Sequence, residues 1–322
     1  MIRPVVPALV GSFFALSGFL VAGSALRTRD TGKFLLNRAL RIFPALSVET
    51  LLSALILGPV FTSLTLWQYF THPEFYRYFG NMIGWVYFFL PGVFDNNPLP
   101  RVINGQLWTL PPEFWCYFLM AFALTTSLIL QRGVLLALAA VSMAGILVLY
   151  VYDPVTFAPN GENFYRPWYI IVLFWLGVIT FLYADRIPMN LPLFALSALL
   201  YWSTIFFNVL PPLSGIPLTY CMAYIGMCSF KPWDRIVKSD YSYGIYLYHF
   251  PIIQALIAVN SDWLLKLSHP VQLLIVFPVA LLVSALVASA SWRFVERPAL
   301  ALRKTYARTR TVHLDAEVQK KA

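Results

Sequence analysis

Nine long apolar stretches, separated by short polar segments, dominate the chain. A helix needs roughly 20 mainly apolar residues to cross a hydrocarbon core about 30 Å thick, because it rises about 1.5 Å per residue. The stretches cover residues 4–26, 38–60, 109–130, 133–152, 167–184, 190–208, 212–230, 240–260 and 271–294. A tenth stretch, 81–92, is too short to span. The pattern predicts an all-α fold, a polytopic bundle of about nine transmembrane helices with one short re-entrant segment.

Composition agrees with a chain that is mostly dissolved in lipid. Of its 322 residues, 59% are hydrophobic and 11% are charged, whereas an ordinary soluble domain has about 25% charged residues. The first stretch has only Arg3 ahead of it and no clear cleavage site, so we interpret it as a retained span. Three cysteines lie in apolar stretches without metal-ligand spacing, which predicts core residues and no metal site: Cys116, Cys221 and Cys228.

The distribution of charge predicts an orientation. The basic residues behind the net charge of +9 stand at helix ends and do not alternate with aromatic residues, so we expect no nucleic-acid partner. Cytoplasmic loops are rich in Lys and Arg, which places residues 27–41 and the tail from Arg293 in the cytoplasm. This path requires 81–92 to be re-entrant. It leaves only five basic residues outside: Arg3, Arg77, Arg101, Arg166 and Lys266.

The same path puts Met1 outside without the usual basic flank, which a preceding helix would correct. No linker, charge block or internal repeat interrupts the apolar stretches. We therefore expect one membrane domain, residues 1–298, followed by a basic cytoplasmic tail, residues 299–322.

Ionisable groups inside a bilayer are costly and are candidates for function, and here they include Glu49, Glu113 and His249. Glu113 follows Leu107-Trp108-Thr109-Leu110-Pro111-Pro112, where two prolines suit the first turn of a helix. One interpretation is a carboxylate that caps this helix. The other is that Glu113 opens a polar cavity in which Trp108 provides a flat wall for a sugar ring or an acyl group.

His249 ends the segment Asp240-Tyr-Ser-Tyr-Gly-Ile-Tyr-Leu-Tyr-His249. At 100° per residue, Ser242, Tyr246 and His249 share one stripe of a helix. A histidine beside two hydroxyl groups can move protons or bind a substrate hydroxyl. Alternatively, the histidine is an interhelical hydrogen-bonding group and the tyrosines belong to the membrane interface.

Arg38 and Arg41 lie three residues apart at the predicted cytoplasmic end of the second stretch, on a face that Glu49 continues inward. Forked guanidinium groups suit phosphate oxygens, so the pair is a candidate entrance for a phosphorylated ligand. The positive-inside rule alone also explains the pair.

A stripe of small residues in 11–23 predicts close helix packing. The chain has no phosphate-binding loop, dinucleotide fingerprint, zinc-protease motif or serine-hydrolase elbow.

Taken in order, these segments resemble the acyltransferase-3 family of bacterial membrane proteins, which includes O-antigen and exopolysaccharide O-acetylases. The resemblance covers residues 11–298. It is carried by Phe13-Phe14-Ala-Leu-Ser17-Gly18-Phe19-Leu20, Arg38-Ala-Leu-Arg41-Ile-Phe-Pro44, Leu107-Trp108-Thr-Leu-Pro-Pro-Glu113 with Tyr117, Ser242-Tyr-Gly-Ile-Tyr246-Leu-Tyr-His249 and, more weakly, Glu296-Arg-Pro298.

The resemblance implies transfer of an acyl group, usually acetyl, from cytosolic acyl-CoA to a sugar hydroxyl of a surface glycan, exopolysaccharide or lipid-linked precursor. Acyl-CoA is then a co-substrate, and no permanently bound cofactor is implied. The resemblance assigns Arg38 and Arg41 to the cofactor entrance, and Glu113 and His249 to the membrane cavity. It places the chain in a bacterial inner membrane, with lipid and a glycan or glycolipid acceptor as its partners.

The family normally begins one helix earlier, with an Arg and, about ten residues on, a His thought to act as the catalytic base. These 322 residues contain neither. The interpretations are a mis-assigned start, a truncated non-catalytic membrane partner, or replacement of the base by His249. A transporter of glycan or acyl carriers is a further alternative, disfavoured because no repeats are found.

Overall fold

A computed structural model of the chain describes residues 5–154, 166–228 and 240–302. Two compact units divide the chain. Unit 1 comprises Met1–Leu35 and Pro112–Trp233, and unit 2 comprises Leu36–Pro111 and Asp234–Ala322. Within the described ranges the fold is helical and contains no strand, only two isolated bridges. The predicted all-α class is therefore confirmed.

Twelve α-helices account for most of the described residues; the shortest, Gly58–Phe61, directly follows a π-helical turn, and the other eleven are numbered in chain order. They are α1 (Val5–Thr28), α2 (Thr31–Leu52), α3 (Leu66–Thr71), α4 (Pro73–Tyr78), α5 (Leu110–Thr125), α6 (Arg132–Tyr152), α7 (Pro167–Leu182), α8 (Leu191–Phe206), α9 (Gly215–Met227), α10 (Ser242–Leu264) and α11 (His269–Ser291). π-Helical turns extend two of them, Ser53–Leu57 after α2 and Trp292–Glu296 after α11. Short 3-10 turns occur at Phe79–Ile83, Gly105–Thr109, Leu128–Leu130 and Pro211–Ser214.

Among the described residues, five helical segments are long and apolar enough to cross a membrane: Ala8–Thr28, Thr31–Phe61, Arg132–Tyr152, Ser242–Asn260 and His269–Leu302. The other apolar stretches form shorter helices, with 16 residues each in α5, α7 and α8. A multi-pass membrane protein follows from this, while the count of nine spans stays a prediction. Residues 303–322, which make up most of the predicted tail, and the basic segment 229–239 lie outside the described residues.

The short apolar stretch at 81–92 is mainly non-helical. A 3-10 turn ends at Ile83, and the Asn81 side chain then replaces helical bonding. Its Nδ2 donates to the Tyr87 carbonyl at 2.9 Å, and its Oδ1 accepts from the Tyr87 amide at 2.8 Å. Because Asn81 satisfies both backbone groups of Tyr87, this part of the chain is ordered without a helix. Its placement as a re-entrant segment stays a prediction.

In unit 1, α1 packs closely against α7 through two glycines. A Cβ on Gly18 would lie 1.9 Å from the Phe174 carbonyl oxygen, and one on Gly177 would lie 2.0 Å from that of Ala15. Such distances exclude any side chain at either position, as the predicted small-residue packing requires. Cys116 and Cys221 are buried as predicted, but Cys228 is exposed, because it follows the last residue of α9.

Unit 2 has an aromatic core, which lies between the π-helical turn after α2 and the segments that follow it. Tyr69, Phe75 and Tyr78 are buried there together with Leu90 and Ile103. The Tyr69 hydroxyl donates to the Ala54 carbonyl at 2.7 Å, inside the π-helical turn. A π-helical turn leaves carbonyl groups available for such side-chain partners, so Tyr69 fixes the turn that carries Ser53. In the same unit, α10 packs against α11 and against the 3-10 turn Gly105–Thr109.

Candidate active site

Arg41 and Ser242 come together at one end of unit 2 through an acidic residue that the sequence did not single out. Arg41 Nη2 donates to Asp240 Oδ2 at 2.5 Å. Asp240 Oδ1 in turn accepts from the Ser242 amide at 3.2 Å and from its hydroxyl at 2.5 Å. Asp240 therefore satisfies the first amide of α10 and joins α10 to α2. Arg38 lies one helical turn before Arg41 and is partly buried.

This pair of charges is accessible from outside the protein. The Asp240 side chain is 55% exposed and that of Arg41 is 23% exposed. Partial burial opposes ionisation of Asp240, but the hydrogen bonds from Ser242 and the charge of Arg41 hold the pKa of its carboxyl group below the ordinary value. The Arg41 guanidinium also stands 5.9 Å from the centre of the Tyr243 ring. An anionic ligand can reach Arg41 here by displacing a partly solvated carboxylate.

Tyr246 is bound to the segment that carries Trp108. Its hydroxyl donates to the Gln106 carbonyl at 2.8 Å and lies 2.9 Å from the Thr109 hydroxyl. Gln106 Nε2 donates back to the Leu247 carbonyl of α10 at 2.8 Å. Trp108 lies between these anchored residues and is partly buried. The 3-10 turn Gly105–Thr109 is therefore held against α10 by hydrogen bonds in both directions.

His249 follows Tyr246 on the stripe that the sequence predicts, with the two ring centres 6.4 Å apart. Its Nδ1 lies 2.9 Å from the Tyr246 carbonyl oxygen and 3.1 Å from that of Ile245. Carbonyl oxygens only accept hydrogen bonds, so Nδ1 carries the proton. In the neutral ring Nε2 is then the acceptor nitrogen, which is the state a proton acceptor requires.

Glu113 belongs to unit 1, whereas the other predicted site residues belong to unit 2. It stands in the first turn of α5, directly after Pro111 and Pro112, and is 9% exposed. The Tyr117 hydroxyl, one helical turn further on, donates to its carboxylate. The neighbouring thiol of Cys116 is buried beside it. The structure thus places Glu113 near the start of a helix and gives it a phenolic donor.

A second buried carboxylate, Glu49, organises a polar cluster in unit 2. Its side chain is 1% exposed, and its oxygens accept from Ser53 Oγ at 2.5 Å and from Asn104 Nδ2 at 2.9 Å each. Asn104 also bonds to the Tyr78 hydroxyl. Sequence reasoning weighed Glu49 as a membrane-embedded charge but missed Asn104 and Tyr78. Asn104 precedes a 3-10 turn, and Tyr78 ends a helix of only six residues, so neither stands in a stretch long enough for a periodic pattern to link it to α2.

Glu296 closes a further polar chain in unit 2. The Tyr248 hydroxyl donates to Ser291 at 3.4 Å, and the Ser291 hydroxyl donates to Glu296 Oε1 at 3.3 Å. Glu296 is 1% exposed and lies within electrostatic range of Arg41 and Asp240. Its motif was the weakest feature of the sequence resemblance, yet the structure brings it close to the Arg41 end of the unit.

Comparison with known proteins adds the chemical class. The acyltransferase-3 family model, described as an acyltransferase domain, matches residues 4–289. The chain is 26% identical to nodulation protein 10 of Rhizobium leguminosarum bv. viciae, over 91% of this chain and 82% of that protein. It is 27% identical to an O-acetyl transferase of Shigella phage Sf6, over 76% of this chain and 73% of that protein. No solved structure matches.

Proposed function

Because the chain belongs to the acyltransferase-3 family, we propose that it is a membrane-embedded O-acyltransferase that acts from acyl-CoA on a sugar hydroxyl. The match of the family model to residues 4–289 carries this proposal. The proposed acyl group is acetyl, since one relative is an O-acetyl transferase. The proposed acceptor is a surface glycan, an exopolysaccharide or a lipid-linked sugar, and the proposed location is a bacterial inner membrane.

The proposed entrance for acyl-CoA is the Arg38 and Arg41 end of α2. Coenzyme A carries phosphate groups, and an arginine fork binds phosphate oxygens in a bidentate manner. The position of Arg41 supports this role, because its present partner Asp240 is more than half exposed. A phosphate therefore competes with a solvated carboxylate for Arg41 and does not have to break a buried pair.

The proposed reaction exchanges one ester for another. The acceptor hydroxyl attacks the thioester carbonyl, a C–O bond forms, the C–S bond breaks, and the proton of the hydroxyl ends on the sulfur of coenzyme A. His249 is proposed to take that proton first, at Nε2, since its Nδ1 proton is held by backbone carbonyls. Glu113 is proposed to orient a hydroxyl group. Trp108, Ser242 and Tyr246 are proposed to contact the substrates.

The experiment is acetyl transfer in membranes that contain residues 1–322. Labelled acetyl-CoA is supplied with a glycan extract, and label in the glycan is measured against membranes without the protein. Membranes with the Shigella phage O-acetyl transferase serve as the positive control. Label above background supports the proposal. Binding of acetyl-CoA without transfer to any glycan, while the control is active, would favour a non-catalytic membrane partner.

A further inference from the structure

A cavity of about 460 Å³ opens in unit 1 where three helices end or begin. The end of α1, the start of α6 and the end of α7 surround it. Its volume falls in the range of small-molecule sites, about 300–1,000 Å³. None of the residues assigned to acyl transfer lines it. The cavity is therefore separate from the residues proposed for acyl transfer.

The lining combines apolar walls with a basic rim. Leucine side chains, Ile129 and Phe181 form the walls, and Arg29, Arg132 and Asp185 are the charged residues. Arg132 Nη1 binds both Asp185 oxygens at 3.1 Å. These bonds hold the pKa of Asp185 below its ordinary value, so it is ionised at neutral pH. Two positive charges and one negative charge leave the rim with an excess of one positive charge.

Arg29 supplies this excess positive charge. It is exposed, and it forms no ion pair with any residue in the described ranges. Its backbone has a φ of 47°, directly after the last residue of α1. Glycine is the usual residue at such a left-handed helix end, because it has no Cβ to strain. The chain has the long cationic side chain of Arg29 there instead, as a binding role for this side chain at the cavity would require.

The start of α6 adds to the positive potential. Its first turn contains Arg132 and no acidic residue, and the Gln131 side chain does not cap it. The unpaired N–H groups of a helix start favour an anion. On the orientation predicted from charge, this end of the three helices faces the cytoplasm, where the membrane leaflet is rich in acidic lipids.

We propose that this cavity binds the headgroup of an acidic phospholipid, with the phosphate between Arg29 and Arg132. The apolar walls then contact the glycerol and the first methylene groups, which a free phosphate or a nucleotide lacks. The remaining guanidinium nitrogens of Arg132 can bind the phosphate while Nη1 keeps Asp185. This site is independent of the proposed acyl transfer.

The test uses the full chain, purified in detergent and titrated with short-chain phosphatidylglycerol, with phosphatidylcholine, and with inorganic phosphate. Binding is followed as the rise in unfolding temperature with ligand concentration. Arg29→Gly is the main variant, since it removes the side chain and suits the left-handed backbone. Arg27→Gly is not a suitable control, because a glycine inside α1 would weaken that helix. The matched pair is therefore Arg29→Gln and its control Arg27→Gln. Arg27 is also exposed at this end of α1 but does not line the cavity.

We expect phosphatidylglycerol to bind more tightly than phosphatidylcholine. Arg29→Gly and Arg29→Gln should each weaken the binding of phosphatidylglycerol about fivefold, the effect of one basic residue near a lipid surface. Arg29→Gly without lipid should be at least as stable as the original chain. Equal weakening by Arg27→Gln, or equal binding of the two lipids, would overturn the proposal. Saturation by inorganic phosphate alone, without a preference for lipid, would identify a free-anion site and would also overturn it.

Discussion

Two buried glutamates, one in each unit, occupy different positions along their helices: Glu49 lies near the end of α2, and Glu113 lies in the first turn of α5. Glu49 in unit 2 accepts from Asn104, which lies 55 residues further along the chain, and Asn104 also bonds to Tyr78. Glu113 in unit 1 accepts from Tyr117, one turn further on in the same helix. Long-range donors tie Glu49 to the fold of its unit.

The two glutamates also differ in exposure. Glu49 is 1% exposed, and its removal would take an acceptor away from buried donors such as the Ser53 hydroxyl. Glu113 is 9% exposed and stands at the start of a helix. The comparison predicts that changes at Glu113 reduce activity more than stability, and that changes at Glu49 do the reverse.

The largest effect is expected from Glu113→Gln. We expect acetyl transfer to fall at least about 100-fold, which corresponds to about 2.7 kcal/mol of activation free energy. The free energy of unfolding should change by about 1 kcal/mol or less, the usual size of a capping contribution. Transfer of labelled acetyl groups and unfolding in detergent measure the two quantities. Normal transfer with slightly lower stability would show that Glu113 is only a cap.

Glu49→Ala should have the opposite effect and lower stability more than activity. It leaves the Ser53 hydroxyl without its acceptor and the Asn104 amide with only the Tyr78 hydroxyl, and we expect a loss of about 2–3 kcal/mol of stability. Glu49→Gln keeps one side-chain oxygen as an acceptor and should lose less. Denaturant unfolding in detergent compares the three proteins. If the alanine variant were as stable as the original chain but inactive, Glu49 would belong to the reaction and the contrast with Glu113 would fail.

A smaller effect is expected at the exposed end of unit 2. Arg41→Ala should weaken acyl-CoA binding about tenfold, equivalent to about 1.4 kcal/mol, because one phosphate loses its forked partner. The fold should persist, since the Asp240 side of the ion pair is more than half exposed and is solvated without Arg41. Equilibrium binding of labelled acetyl-CoA to membranes tests this, with Arg27→Ala as the control for a basic residue at the end of α1. An unchanged dissociation constant would remove the cofactor role of Arg41.

Residues on regular helices were the ones that could be predicted from the sequence. The apolar lengths predicted the positions of α1, α2 and α6, and helical spacing placed Tyr246 beside His249. The partners of these residues could not be found in this way. Asp240 meets Arg41 from 199 residues away, and Asn104 reaches Glu49 from a segment with no period. Contacts of this kind depend on the packing of distant segments, which hydrophobic periodicity does not encode.

The smallest effect concerns the pH dependence of the Arg41–Asp240 pair. The pKa of Asp240 is held below its ordinary value despite partial burial, by Ser242 and then by the charge of Arg41. A carboxyl group with a lowered pKa in the folded state stabilises the fold above its unfolded pKa, about 3.9, and this contribution is lost as the pH falls through the lower, folded value. We therefore expect the stability difference between the original chain and Asp240→Asn to stay constant from about pH 7 to 5 and to shrink below about pH 4. Unfolding temperatures in detergent across this range measure the difference. A difference that disappears well above pH 5 would mean that neither Ser242 nor Arg41 favours the ionised carboxylate, and the polar contacts that hold α10 to α2 would have to be reassigned.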